Sequence, residues 1–154
     1  MMTYYRVLLD TSYLLPMFGL EVDIAPSEEI NDLIASLTEG DGEIHVQDLS
    51  ALEAYGKTVR IAEKTKIEEG KLLAAQGYID FLSDQTMIHY SFSNFVVFQE
   101  AQKIREKHRD LFDCFIFGTA CAYNLLLVTE DKFAHNNITT TTVWDWKTLK
   151  KKIG

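Results

Sequence analysis

Two apolar runs in this chain end in acid-plus-hydroxyl pairs. Val7-Leu8-Leu9 runs into Asp10-Thr11, and Leu126-Leu127-Val128 runs into Thr129-Glu130-Asp131. A carboxylate at the end of a strand buried on both faces is costly unless something pairs with it. Two further acids sit among apolar neighbours. At helical spacing Glu53 borders a stripe containing Leu52 and Val59. Asp113 is surrounded in sequence by Leu111, Phe112, Cys114, Phe115 and Ile116, which predicts partial desolvation. Acids gathered in such places repel one another and shift their pKa values upward. A hard divalent cation, Mg²⁺ or Mn²⁺, relieves this through carboxylate and water oxygens. Each residue also has a plainer use: Asp10 and Asp131 as helix caps, Asp113 as a first-turn acid, Glu53 as a surface residue. The four together favour a cation site.

Other chemistries fit less well. His45, His89, His108 and His135 are scattered without the spacing of zinc ligands. Neither a glycine-rich phosphate loop nor a G-x-S-x-G elbow is present. Cys114 and Cys121 lie seven apart on one apolar helix, about 10 Å by helical rise and too far for a disulfide. They read as structural thiols, and a reducing, cytoplasmic setting is expected.

The elements that must position the acids alternate in type. Residues 4–9 predict a first strand buried on both faces, and Ser12 to Phe18 a short helix. A helix opens at Pro26-Ser-Glu-Glu and stops at Gly40-Asp-Gly. Glu43–Val46 is a second strand. A long helix capped by Asp48 or Ser50 runs to about Lys64, and another spans about Ile67 to Leu82. Met87–Tyr90 is a strand, Ser93 or Asn94 starts a helix, and Asp110 starts an apolar helix to about Tyr123. Leu125–Thr129 and Thr139–Val143 are the last strands. This alternation predicts an α/β class, three layers in α/β/α order, with a central, mainly parallel sheet. The expected organisation is one domain over residues 1–154.

The net charge of −8 argues against nucleic-acid binding through a global positive field. Cations are nevertheless clustered at Lys57, Arg60, Lys64 and Lys66, and in a basic tail of Lys147, Lys150, Lys151 and Lys152. The longest uncharged stretch, Cys114–Val128, is shorter than the roughly 20 apolar residues of a membrane span. The N-terminus lacks the features of a secretory signal, so no membrane association is expected.

The chain resembles the PIN-domain nucleases, in particular the single-domain VapC-type toxins of toxin–antitoxin pairs. The resemblance is carried by "VLLDTSYLL", by the acid-bearing helix "LSALEAYGK", and by "LFDCFIFGTACAYNLLLVTEDKFAH". In the last segment Asp113, Ile116 and Ala120 match a D-x-x-[IL]-x-x-x-A pattern. Thr129, Asp131 and Phe133 match a shortened T-x-D-x-x-F signature.

The resemblance implies a magnesium- or manganese-dependent endoribonuclease. Asp10 and Asp113 would be the principal metal ligands, Glu53 would contribute from its helix, and Asp131 would lie near the site or hold a second ion. Thr11 and Thr129 would orient carboxylates or bound water through their hydroxyls. The implied partners are an RNA substrate, a small antitoxin that brings a basic side chain to the carboxylates, and a second copy in a homodimer. The aromatic stretches Tyr78–Phe81 and Phe92–Phe98 are candidates for association, although core burial explains both more simply. Glu130 departs from the pattern, since a charge between Thr129 and Asp131 repels a substrate phosphate. One alternative is a PIN-like module that binds RNA or protein with its acids in structural roles. A phosphatase of another doubly wound family ranks lower, because no suitably placed lysine follows.

Overall fold

In the computed structural model, which describes residues 3–154, five strands form one sheet in the order β3-β2-β1-β4-β5. The strands are Tyr5–Leu9 (β1), Gly42–Gln47 (β2), Met87–Tyr90 (β3), Leu126–Val128 (β4) and Val143–Trp144 (β5). Every pairing is parallel, so the mainly parallel sheet expected from the alternation is wholly so. Seven α-helices cover it: Ser27–Ser36 (α1), Leu49–Thr65 (α2), Glu68–Ser83 (α3), Phe95–Arg105 (α4), Leu111–Tyr123 (α5), Lys132–Asn137 (α6) and Trp146–Ile153 (α7).

The run Val7-Leu8-Leu9 explains the three layers. All three residues are fully buried, but successive side chains point to opposite faces. Val7 and Leu9 join Ile44, Val46, Ala51, Ala54, Phe81 and Trp146 on one face. Leu8 joins Ile116, Phe117, Ala120, Leu127 and Ala134 on the other. A strand that feeds two cores must be central, and β1 has β2 on one side and β4 on the other. The strand order reverses there, so the crevice beyond the carboxyl ends of β1 and β4 is where an open parallel sheet places its ligand.

Two glycines mark close approaches. Gly42 pairs with Tyr5 at the start of the β1/β2 register, where any Cβ would collide with the Tyr5 carbonyl oxygen. Gly118 lets α5 lie against α4, since a Cβ there would sit 2.8 Å from the Ala101 nitrogen.

Several expectations change. The helix expected over Ser12–Phe18 is two short 3₁₀ turns, Thr11–Tyr13 and Leu15–Phe18, the second opened by Pro16 and closed by Gly19 at φ 81°. The first helix runs on through a π turn, Leu37–Asp41, before β2. Asp48 stands at the α2 N-cap position without a capping bond; the Gln47 side chain accepts from the Leu49 amide, and Asp48 contacts His89 instead. The last strand comes later than Thr139–Val143: the chain bends at Thr140 and Thr141, and the Thr142 and Trp144 carbonyls accept from the amides of Leu127 and Thr129.

The basic tail is an ordered helix, α7. Asp145 caps it by accepting from the Thr148 amide at 2.7 Å, and Trp146 and Leu149 are buried. Asp before Trp-x-x-Leu is a helix-start signal legible in the sequence. Leu52 is 47 % exposed, so the buried stripe of α2 is Ser50, Ala51, Ala54, Thr58 and Ala62 rather than one containing Leu52. Phe81 is buried as expected and so is Val97, but Phe92, Phe95 and Phe98 are exposed, which overturns core burial for the aromatics of that stretch. Among the described residues, no helix is long and apolar enough to cross a membrane.

Candidate active site

β1 delivers Asp10 to the crevice, and a turn begins at once behind it. The Asp10 carboxylate uses one oxygen to accept from the Thr11 amide at 2.7 Å, capping the first 3₁₀ turn. Its other oxygen accepts from the Thr129 hydroxyl at 2.6 Å. The Asp10 amide donates to the Val128 carbonyl, which extends the β1/β4 ladder by one bond. Capping and site geometry therefore coexist in one side chain.

β4 delivers Thr129 and Asp131. Thr129 is fully buried. Its hydroxyl accepts from the Asp131 amide at 3.1 Å while donating to Asp10, so one oxygen joins the two strand-end acids. Asp131 caps α6 by accepting from the amides of Phe133 and Ala134. His135 holds the Thr129 carbonyl at 2.8 Å from one turn further on.

The helices supply the rest. Glu53 lies one turn into α2, its side chain only 12 % exposed, with Lys57 one turn beyond at 3.9 Å. Asp113 sits in the first turn of α5, where a carboxylate complements the helix N-terminus. Its amide donates to the capping Asp110 carboxylate at 3.1 Å, and one of its own oxygens contacts His108 Nε2 at 2.8 Å.

These residues share one cleft of about 350 Å³, lined by Asp10, Ser12, Glu53, Lys57, Asp110, Asp113, Glu130 and Asp131. All four acids singled out from the sequence line it. Thr129 underlies it through Asp10. Thr11 contributes its amide to Asp10, and its buried hydroxyl has no hydrogen-bond partner among the described residues. Sequence reasoning missed Asp110 and His108. Asp110 was read only as a helix start, and His108 was set aside with the other histidines although it stands five residues before Asp113.

The electrostatics follow from crowding. Burial pushes Asp10 up to about 7; the Thr129 hydrogen bond opposes this, and the nearby charges of Asp113 and Glu53 add to it. Asp113 is raised as well, by burial first, against the His108 contact, with Asp110, Glu53 and Asp131 contributing repulsion. Donor atoms fall within 4.8 Å of one another in two groups that share Asp113, one with Glu53 and Asp110 and one with Asp131 and the His108 nitrogen; Asp10 lines the same cleft but falls in neither group. Such a donor set fits a hard divalent cation. Glu130 is held at the rim, accepting from the Tyr13 hydroxyl at 2.9 Å and the Trp146 amide at 2.9 Å.

The family model described as PIN domain matches residues 7–136. No curated protein sequence matches the chain. Among solved structures, the chain is similar to the Rickettsia felis VapBC2 complex bound to a DNA fragment from its promoter. The identity there is 17 %, with 91 % of this chain and 98 % of that chain covered and a TM-score of 0.62. It is similar to FitAcB from Neisseria gonorrhoeae at 18 % identity, covering 90 % and 96 %, with a TM-score of 0.59. A toxin–antitoxin complex from Klebsiella pneumoniae matches at 17 %, covering 88 % and 98 %, with a TM-score of 0.52.

Proposed function

The chain belongs to the PIN domain family, and from that premise we propose that it is a Mg²⁺- or Mn²⁺-dependent endoribonuclease, the toxin of a toxin–antitoxin pair. The observation that carries this reading is the convergence of Asp10, Glu53, Asp113 and Asp131 on one cleft at the switch point of the sheet. The similar structure from Klebsiella pneumoniae is a toxin–antitoxin complex by name, which supports the biological setting.

Asp10 and Asp113 would hold the cation, with Glu53 and Asp131 completing the oxygen set directly or through water. A bound divalent ion lowers the pKa of a coordinated water and offsets charge on the phosphorane-like transition state. The chain's own part is positioning. Thr129 and the Thr11 amide hold the Asp10 carboxylate at the cleft and favour its charged form against the burial that raises its pKa. Lys57 is the cationic side chain among the residues lining the cleft, 3.9 Å from Glu53, and is the group there that would attract an RNA phosphate. Glu130 stays turned toward Tyr13 and α7, which lessens the repulsion its position suggests. An antitoxin segment with a basic side chain is the complementary partner for such a cleft.

The test is cleavage of single-stranded RNA with Mg²⁺ or Mn²⁺, comparing wild type with Asp10→Asn and Asp113→Asn. Cleavage by wild type alone supports the reading. Equal cleavage by all three proteins would sink it. No cleavage, together with no metal-dependent rise in melting temperature, would favour an RNA- or protein-binding module.

A further inference from the structure

The turn His108-Arg109-Asp110 grips Asp113 at two points. Asp110 accepts from its amide, and His108 Nε2 lies 2.8 Å from its Oδ2. The imidazole is itself fixed. It stacks on Phe133, with ring centroids 4.3 Å apart and planes 19° from parallel, and it tilts against Phe117 at 6.0 Å. Its backbone is fixed too: the His108 carbonyl accepts from Arg105 at 3.1 Å, with the Cys114 thiol 3.6 Å away, and its amide donates to the Ile104 carbonyl. An exposed histidine on a free turn would visit several rotamers. This one is clamped between aromatic rings and a carboxylate.

We propose that His108 is a positioning residue for the metal site: with Nε2 protonated, it donates to Asp113 Oδ2 and leaves Oδ1 as the oxygen offered to the cation. The inference rests on the nuclease reading above. Partners that hydrogen-bond a ligating carboxylate reduce its freedom and set which lone pairs remain for the ion, and their loss typically lowers metal affinity about 10–100-fold. Phe133 belongs to the same device, because its ring stacks on the imidazole that contacts the carboxylate. The clamp connects α6, which Asp131 caps, through Phe133 to the first turn of α5, which carries Asp113.

The experiment is Mn²⁺ binding followed by calorimetry on wild type, His108→Ala and His108→Gln, with electron spin-echo spectroscopy of the bound ion. Glutamine keeps an N–H donor near the Nε2 position. His108→Ala should weaken Mn²⁺ binding about 10–100-fold, and His108→Gln should restore most of it. The wild-type ion should show no directly coordinated imidazole nitrogen. Unchanged affinity in His108→Ala would overturn the inference, as would failure of glutamine to improve on alanine. A directly bound nitrogen signal lost in both variants would overturn it too, by making His108 a ligand. Wild-type protein that binds no Mn²⁺ would overturn the nuclease reading and this inference with it; the other outcomes leave that reading standing.

Discussion

Asp10 and Thr129 are 119 residues apart in sequence, yet the threonine hydroxyl donates to the aspartate carboxylate at 2.6 Å. The same hydroxyl accepts from the Asp131 amide, so it is the hinge pin between the ends of β1 and β4. Thr129→Val keeps the shape and removes the pin. The variant should lose about 1–3 kcal/mol of stability, because buried polar groups lose their partner. Metal-dependent activity should fall about tenfold or more, as for loss of an orienting partner. Thermal melts and Mn²⁺ titrations of the purified variant check both effects.

The contribution of Asp10 to the stability of the metal-free protein should fall as pH rises from about 4 to about 7. Asp10 is pushed up from the ordinary carboxylate value to about 7. In that window the native state keeps a proton that the unfolded chain has released, so raising the pH favours unfolding. Asp113 shifts in the same direction. A ligating carboxylate must be deprotonated, so stabilisation by Mg²⁺ or Mn²⁺ should grow across the same range. Denaturant melts at several pH values, with and without metal, would show the two slopes crossing in opposite directions. A stability difference between wild type and Asp10→Asn that moves in favour of wild type from pH 5 to 8 contradicts the prediction.

Asp10→Asn should abolish cleavage while leaving the metal-free fold as stable as wild type or more so at pH 8. The amide can still accept from the Thr11 backbone and donate to the Thr129 oxygen, and it removes a charge facing Asp113 and Glu53. Activity and stability then move in opposite directions, as expected where a site is held under repulsion. The melting temperature of the variant should no longer respond to Mn²⁺.

Most of this site is legible in sequence, for a physical reason. Asp10, Asp131 and Thr129 follow short apolar strands, and in a parallel sheet strand ends are ligand positions whatever the surrounding loops do. Asp113 and Glu53 stand out because few neighbours can be exposed. Asp110 and His108 were invisible because their roles depend on side-chain reach across a turn, which no periodicity encodes. Helix α7 was missed for a different reason: its four lysines mask the Trp146–Leu149 stripe that docks it. The exposed Phe92, Phe95 and Phe98 show the limit of composition, since apolar residues are no guarantee of burial.

Glu130→Gln should tighten RNA binding in an Asp10→Asn background, where the substrate survives. The glutamine oxygen can still accept from Tyr13 and the Trp146 amide, so the rim stays in place while one negative charge leaves the cleft. Glu130→Ala instead strips both donors of their acceptor and should cost about 1–3 kcal/mol. Fluorescence anisotropy with a short RNA at two salt concentrations separates the charge effect from the structural one. Identical affinity for the glutamine variant and its parent would contradict the electrostatic part.

The central place of β1 also decides how the site fails. Its carboxylate hangs from a strand hydrogen-bonded on both edges, to β2 and β4, and its side chains are shared between two cores. Fraying at the sheet margins, where β3 and β5 lie, leaves Asp10 and Thr129 joined. The acid set is dismantled only when the middle of the sheet opens, and that is the most cooperative part of such a structure. Residual cleavage competence in denaturant should therefore report on the global fold, vanishing together with the native state instead of draining away beforehand.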